Sequence, residues 1–259
     1  MLPTAKGFYR PKRTQRSAFA CKVATPNEDA LRVCPIPGCG REPQARAGRG
    51  LSLFHCRYHV QHRNRHGSLW KGTYPASELQ PYRRAAESFL KANPSAPEIV
   101  AALSALHDLQ YWAGPEQRMV DVLTMPPKRK ARAFFARLRA NEVPPSRLLA
   151  IHLAVTAAVA EDTIGPGGEP AEYRLVQIAK AAHRTASGGT SGGVTYRYAR
   201  STGLVLRHIG EALDDACGPV AKAHLDAILR LKAERHRLWL QAHRADHLGI
   251  GRRLGGKGV

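Results

Sequence analysis

The chain has 259 residues, 43% of them hydrophobic, with 40 Lys and Arg against 20 Asp and Glu, a formal net charge of +20. That length and apolar content suffice for a packed core, which excludes a disordered basic tail, and the charge restricts the expected partners to polyanions: DNA, RNA or an anionic surface. Five cysteines, three of them between positions 34 and 56 beside several histidines, fit metal ligation in a reducing compartment better than a disulfide frame.

The positive charge is concentrated at the front. Residues 1–74 carry 14 Lys and Arg and 3 acids, whereas 75–259 carry 26 and 17. Residues 1–31 read as a flexible basic arm, in which Lys6, Arg10, Lys12, Arg13 and Arg16 surround Phe8 and Tyr9 with no helical or strand period. Lys12, Arg13 and Arg16 are its candidate nucleic-acid contacts. The arm lacks the apolar run of a secretory signal, so a cytoplasmic protein is expected, nucleoid-associated if the source is bacterial.

Residues 32–74 read as a zinc-binding module. Cys34-Pro-Ile-Pro-Gly-Cys39 is followed, sixteen residues later, by Cys56-Arg-Tyr-His59. Zinc takes four soft or borderline ligands at tetrahedral corners, and two close pairs joined by a longer loop supply them economically. Pro37-Gly38 permits a tight turn that aims the first two thiolates inward. Cys56 and His59, three apart, share one face of the helix expected to follow. Four protein ligands leave no open coordination position, so the expected Zn2+ is structural. His55, His62 or His66 also has the chemistry to take the place of His59.

Cys34, Cys39-Gly40, Cys56-x2-His59 and Arg63-x-Arg65-His66-Gly67 together resemble the short treble-clef-type zinc module of bacteriophage and mobile-element proteins, some of them HNH endonucleases. The resemblance covers about residues 32–70. Val60 replaces the aromatic residue that usually follows the ligand histidine, Ser68-Leu69 replaces the usual Asp-Pro, and the loop between the pairs is longer. What the resemblance implies is a zinc-binding, DNA-associated module, without a particular activity.

The helix after Cys56 adds its own argument. With His59 turned to the metal, Gln61, Asn64 and Arg65 project away from it and Arg57 and Arg63 flank them. Arg, Asn and Gln are the side chains that reach base edges or hold phosphates.

From Pro75 to Val259 the sequence predicts an all-helical domain of six or seven helices, punctuated by Pro94, Pro97, Gly114, Pro126-Pro127, Pro144-Pro145 and Pro219, with no strand outside the zinc module. Gly-rich linkers are expected near 165–170 and 187–193. The second lacks the Gly-Lys-Ser/Thr of a phosphate-binding loop. Leu148 to Ala160 is too short for a bilayer span and reads as a buried helix. The basic run Pro126 to Arg132 reads as the start of a helix. A last helix, about Val220 to His247, places Leu225, Ile228, Leu229, Trp239 and Leu240 on a packing side, with Arg230, Arg237 and Arg244 on a cationic one.

The fold class expected is therefore mainly α, a small N-terminal zinc module followed by a multi-helix domain. The function expected is that of a zinc-containing, DNA-binding accessory or regulatory protein of a mobile element, with no membrane partner. RNA or ribosome association is the second reading. A metal-dependent nuclease ranks below both, because His62-Arg-Asn64-Arg-His66 holds the residue types of an HNH site without its spacing, and no other catalytic grouping is visible.

Overall fold

The computed structural model describes residues 33–43, 54–163, 170–186, 190–191, 194–195, 201 and 203–247. Lys12, Arg13 and Arg16, the whole of the 1–31 arm and most of both Gly-rich segments lie outside them. The chain divides into two compact units, Met1–Arg63 and Asn64–Val259.

Eight helices are present among the described residues: α1 (Arg57–His66), α2 (Ala76–Ala92), α3 (Pro97–Tyr111), α4 (Met119–Thr124), α5 (Pro127–Ala140), α6 (Pro145–Ala160), α7 (Pro170–Ala186) and α8 (Gly203–His247). Seven of them follow Pro75, in line with the punctuation of the sequence. The paired prolines explain two of the starts. A residue before proline is pushed to extended backbone, as Pro126 and Pro144 are, and the second proline then opens the helix, where its missing N–H costs nothing.

At the centre of the second unit is α6, in which all eleven residues from Leu148 to Ala158 are buried. A helix apolar all round needs cover on every side, and α2, α3, α7 and α8 provide it. Phe134, Phe135 and Leu138 of α5, Ile99 and Leu106 of α3, and Tyr173, Val176 and Ile178 of α7 complete the core. Arg139 caps the end of α3, donating to the carbonyls of Gln110, Tyr111 and Gly114 at 3.1, 2.7 and 2.6 Å. Such a guanidinium satisfies carbonyls that the helix itself leaves unpaired.

The segment after α1 is anchored on α7. Gln177, buried in the core, donates to the His66 carbonyl at 2.9 Å and accepts from the Tyr74 N–H at 3.3 Å. Gly67 ends α1 at φ +76°, and a Cβ there would lie 2.8 Å from the Tyr173 Cα. Both the left-handed backbone and the close approach require glycine.

The structure corrects the sequence reading in three places. The last helix begins at Gly203, not near Val220, and runs unbroken through Pro219. Val205, Leu206, Ile209, Leu213 and Cys217 before the proline and Val220, Ala221 and Ile228 after it are all buried. Burial on both sides outweighs the ~3 kcal/mol that an interior proline costs. Second, the expected packing side of this helix stops short: Ile228 is buried and Leu225 and Leu229 partly so, but Trp239 is 54% exposed and Leu240 42%. Every residue from Ala233 to His243 is exposed, because the helix continues past the elements that cover its earlier turns. Third, Thr190–Ser191 and Val194–Thr195 form a two-residue antiparallel ladder, with Thr190 opposite Thr195 and Ser191 opposite Val194. Strands that short carry no alternation for a sequence to display.

Candidate metal centre and basic surfaces

The first unit gathers Cys34, Cys39, Cys56 and His59 into one cluster whose ligand atoms all lie within 4.8 Å of one another. Local chemistry places each of them. Ile36-Pro-Gly-Cys39 closes a turn, with the Cys39 N–H donating to the Ile36 carbonyl at 3.0 Å and Gly38 at φ +76°. This is a type II turn, which takes proline and then a residue of positive φ at its centre. The Cys34 N–H then donates to the Arg41 carbonyl at 2.8 Å, bringing the strand of chain back on itself. Cys56 stands immediately before α1, and the Val60 N–H donates to its carbonyl at 3.1 Å as the first helical bond.

The His59 Nδ1 lies 3.3 Å from the Cys34 Sγ and 3.4 Å from the Cys56 Sγ, and the Cys39 and Cys56 sulfurs are 3.7 Å apart. Cys34, Cys56 and His59 are buried and Cys39 is partly so. Burial raises the Cys56 thiol, but the backbone N–H groups of His59 and Tyr58 at the helix start and the neighbouring thiols outweigh it and hold Cys56 below the ordinary range. Burial, with the charges of Arg41, His62 and His55, holds His59 below the ordinary histidine range. A thiolate and a neutral imidazole are the forms that bind a metal. His66 is turned to other partners, its Nδ1 lying 3.0 Å from both the Thr73 Oγ1 and the Lys180 Nζ.

Of the residues expected to meet nucleic acid, Arg57 and Gln61 are exposed in the first unit and Asn64 and Arg65 in the second, while Arg63 is partly buried. Sequence reasoning overlooked Arg41 and Tyr58. The Arg41 guanidinium lies 4.9 Å from the centre of the Tyr58 ring, and Tyr58 is 55% exposed. Both border a shallow depression of about 400 Å3 with Glu42, Arg57, Gln61 and Cys56. A tyrosine between the two ligands of the second pair was the available sign.

Part of the positive charge of the helical unit is spent on its own fold. Arg174 grips Asp214, Arg207 pairs with Glu172, Lys71 pairs with Asp162, and Arg132 and Arg139 cap carbonyls. Lys180, pushed down to about 8 by burial and by Arg184 and Arg65, donates to the Thr73 Oγ1 at 2.8 Å. Cys217 is fully buried, and burial with the Asp214 charge raises its thiol, which suits a packing role. No helix among the described residues is long and apolar enough to cross a membrane.

Compared with protein-family models, curated proteins and solved structures, the chain matches none.

Proposed function

We propose that the cluster holds a structural zinc ion and that the module around it is the nucleic-acid-contacting part of a DNA-binding accessory or regulatory protein, of the kind carried by phages and mobile elements. The spacing of the ligand atoms carries the zinc reading. Around a tetrahedral zinc with bonds of about 2.3 Å to sulfur and 2.0 Å to nitrogen, two sulfurs lie about 3.8 Å apart and sulfur and nitrogen about 3.5 Å. The 3.7 Å between the Cys39 and Cys56 sulfurs and the 3.3–3.4 Å from the His59 Nδ1 to the Cys34 and Cys56 sulfurs match these edges. Bound there, zinc supplies cross-linking: it ties the Cys34–Cys39 turn to the first turn of α1. Three cysteines and a histidine fill its coordination shell, so the role is architectural and not catalytic.

The nucleic-acid reading is supported by the net charge of +20 and by the exposed Arg57, Gln61, Asn64 and Arg65 along the helix that the cluster anchors. DNA is the preferred partner because Arg, Asn and Gln on a helix match major-groove base edges. Structured RNA is the second reading, carried by the exposed Tyr58 beside Arg41, which suits base stacking.

Asn64→Ala with Arg65→Ala is expected to leave zinc content and melting temperature nearly unchanged, as exposed substitutions do, and to weaken duplex binding by roughly 1 to 3 kcal/mol per lost base contact. Binding measured on matched duplex DNA and structured RNA at one salt concentration checks both readings. A double variant that binds every ligand as tightly as the parent would remove the recognition role from this helix.

A further inference from the structure

In the second unit, three arginines from three different helices line one small cavity. It lies where α2, α6 and α7 meet and has a volume of about 200 Å3, below the roughly 300 Å3 at which pockets for organic ligands begin. Arg83 of α2, Arg147 of α6 and Arg184 of α7 line it, with Gln80, Thr185 and an apolar wall that includes Ile151, and no carboxylate is among its lining residues.

Little answers this charge. Arg147 is exposed, and among the described residues its guanidinium has neither an ion pair nor a hydrogen bond, while the Arg184 guanidinium donates to the Tyr74 carbonyl, at 2.6 Å. Burial alone holds the Arg184 guanidinium below the ordinary arginine range, with no neighbouring acid to restore it. Arg83 has Glu87 at 3.4 Å, but its Nε is buried without a hydrogen-bond partner. The first turn of α6, to which Arg147 belongs, has no acid and no side-chain cap. A neighbouring cavity of about 490 Å3 shares Arg83 and Arg147 and adds Lys91, Ser146 and the carboxylate of Glu87. An anion in the cavity would supply the negative charge that its lining residues lack.

We propose that this pocket binds a phosphate group through Arg83, Arg147 and Arg184. Three arginines lining one cavity from three helices suit a tetrahedral anion with several charged oxygens better than a planar carboxylate, which one guanidinium fork satisfies. All of its lining residues lie in the second unit, and a phosphomonoester on a free ligand and a phosphodiester of a nucleic-acid backbone present the same chemistry to it.

The test uses the full chain at fixed ionic strength in chloride, titrated with inorganic phosphate and followed by calorimetry and by melting temperature. The parent is expected to bind one phosphate and to melt higher in its presence. Arg147→Gln, alone and combined with Arg184→Gln, should weaken phosphate binding by about tenfold or more, as loss of a hydrogen bond to a charged group does. Arg147→Gln removes no intramolecular partner, so its melting temperature in chloride should equal or exceed the parent's. Phosphate that protects parent and Arg147→Gln equally would overturn the proposal, as would a variant that melts lower in chloride while its phosphate affinity is unchanged. Competition against inorganic phosphate by an oligonucleotide, with and without a 5′-phosphate, then names the source. Competition by both strands marks a backbone phosphodiester and by the phosphorylated strand alone a terminal phosphate. Absence of competition marks a free phosphorylated ligand.

Discussion

Cys56→Ser is expected to cost the protein its metal and the order of its first unit, while the melting transition of the helical unit persists. Cys56 has two duties in the cluster. Its sulfur lies 3.4 Å from the His59 Nδ1 and 3.7 Å from the Cys39 Sγ, and its carbonyl accepts the first hydrogen bond of α1. Within α1 only His59 is buried, so that helix has little apolar cover of its own. A helix of ten residues is marginal in water without tertiary support. The proposed zinc ion would be that support. Structural zinc sites in comparable peptides contribute roughly 10 to 16 kcal/mol at neutral pH, more than an apolar core of this size supplies. Elemental analysis should find one zinc per chain in the parent and less than half an equivalent in Cys56→Ser. Removing zinc from the parent with a chelator should reproduce the variant's circular dichroism and leave most of the helical signal, which belongs to the second unit. A variant that retains a full equivalent, or a parent whose proteolysis pattern between residues 33 and 63 ignores the chelator, would rule out this site.

Asp214→Ala should strongly destabilise the helical unit. Asp214 of α8 accepts both arms of Arg174 from α7, at 2.7 and 2.8 Å, and lies 2.8 Å from the Nε2 of His152 on α6. Three helices are joined at one carboxylate. The His152 side chain is fully buried, and neutral imidazole donating from Nε2 satisfies Asp214 and leaves Nδ1 as an unpaired acceptor. Removing the carboxylate strands a guanidinium and a ring N–H, at a cost of about 3 kcal/mol. That is the lower end for a broken buried pair, since Asp214 and Arg174 each keep a quarter of their side-chain surface. Urea unfolding measures it, and a loss within about 0.5 kcal/mol of zero would show the network to be idle.

Acid acts on the same region with a definite sign. Burial holds His152 below the ordinary histidine value of 6.5, and burial with the Arg137 charge pushes His183 down to about 4. The unfolded chain takes up these protons near pH 6.5, before the folded one does. Stability is therefore complete above about pH 6.5 and is lost as the pH falls toward 4, by about 3 kcal/mol from His183 alone. Asp214 is held below the ordinary carboxylate value of 3.8 despite its burial, by His152 and Arg174. Its contribution is present above that value and disappears only at lower pH. His183→Gln should flatten the limb between pH 6.5 and 4 in urea unfolding, and a slope identical to the parent's would assign the loss to other groups.

Two kinds of information were legible in the sequence. Ligation and helix starts depend on residues close together in the chain: a proline followed by glycine sets the Cys34–Cys39 turn, three-residue spacing puts Cys56 and His59 on one helix face, and paired prolines begin α5 and α6. Chemistry of that range is written in a few consecutive letters, so the grouping of Cys34, Cys39, Cys56 and His59 and the mainly helical class could be read before any coordinates. Other features depend on what approaches from far along the chain. Pro219 was a reasonable stop, yet burial on both sides of it keeps α8 continuous. Trp239 and Leu240 had the spacing of a packed face, but no described element extends far enough to cover them. The Asp214 network and the pocket of Arg83, Arg147 and Arg184 each draw on three helices that are separated by tens of residues. A single-sequence pattern records which face of a helix is apolar. Which helix meets that face, and which charges are brought together as a result, is decided by packing all of the faces at once.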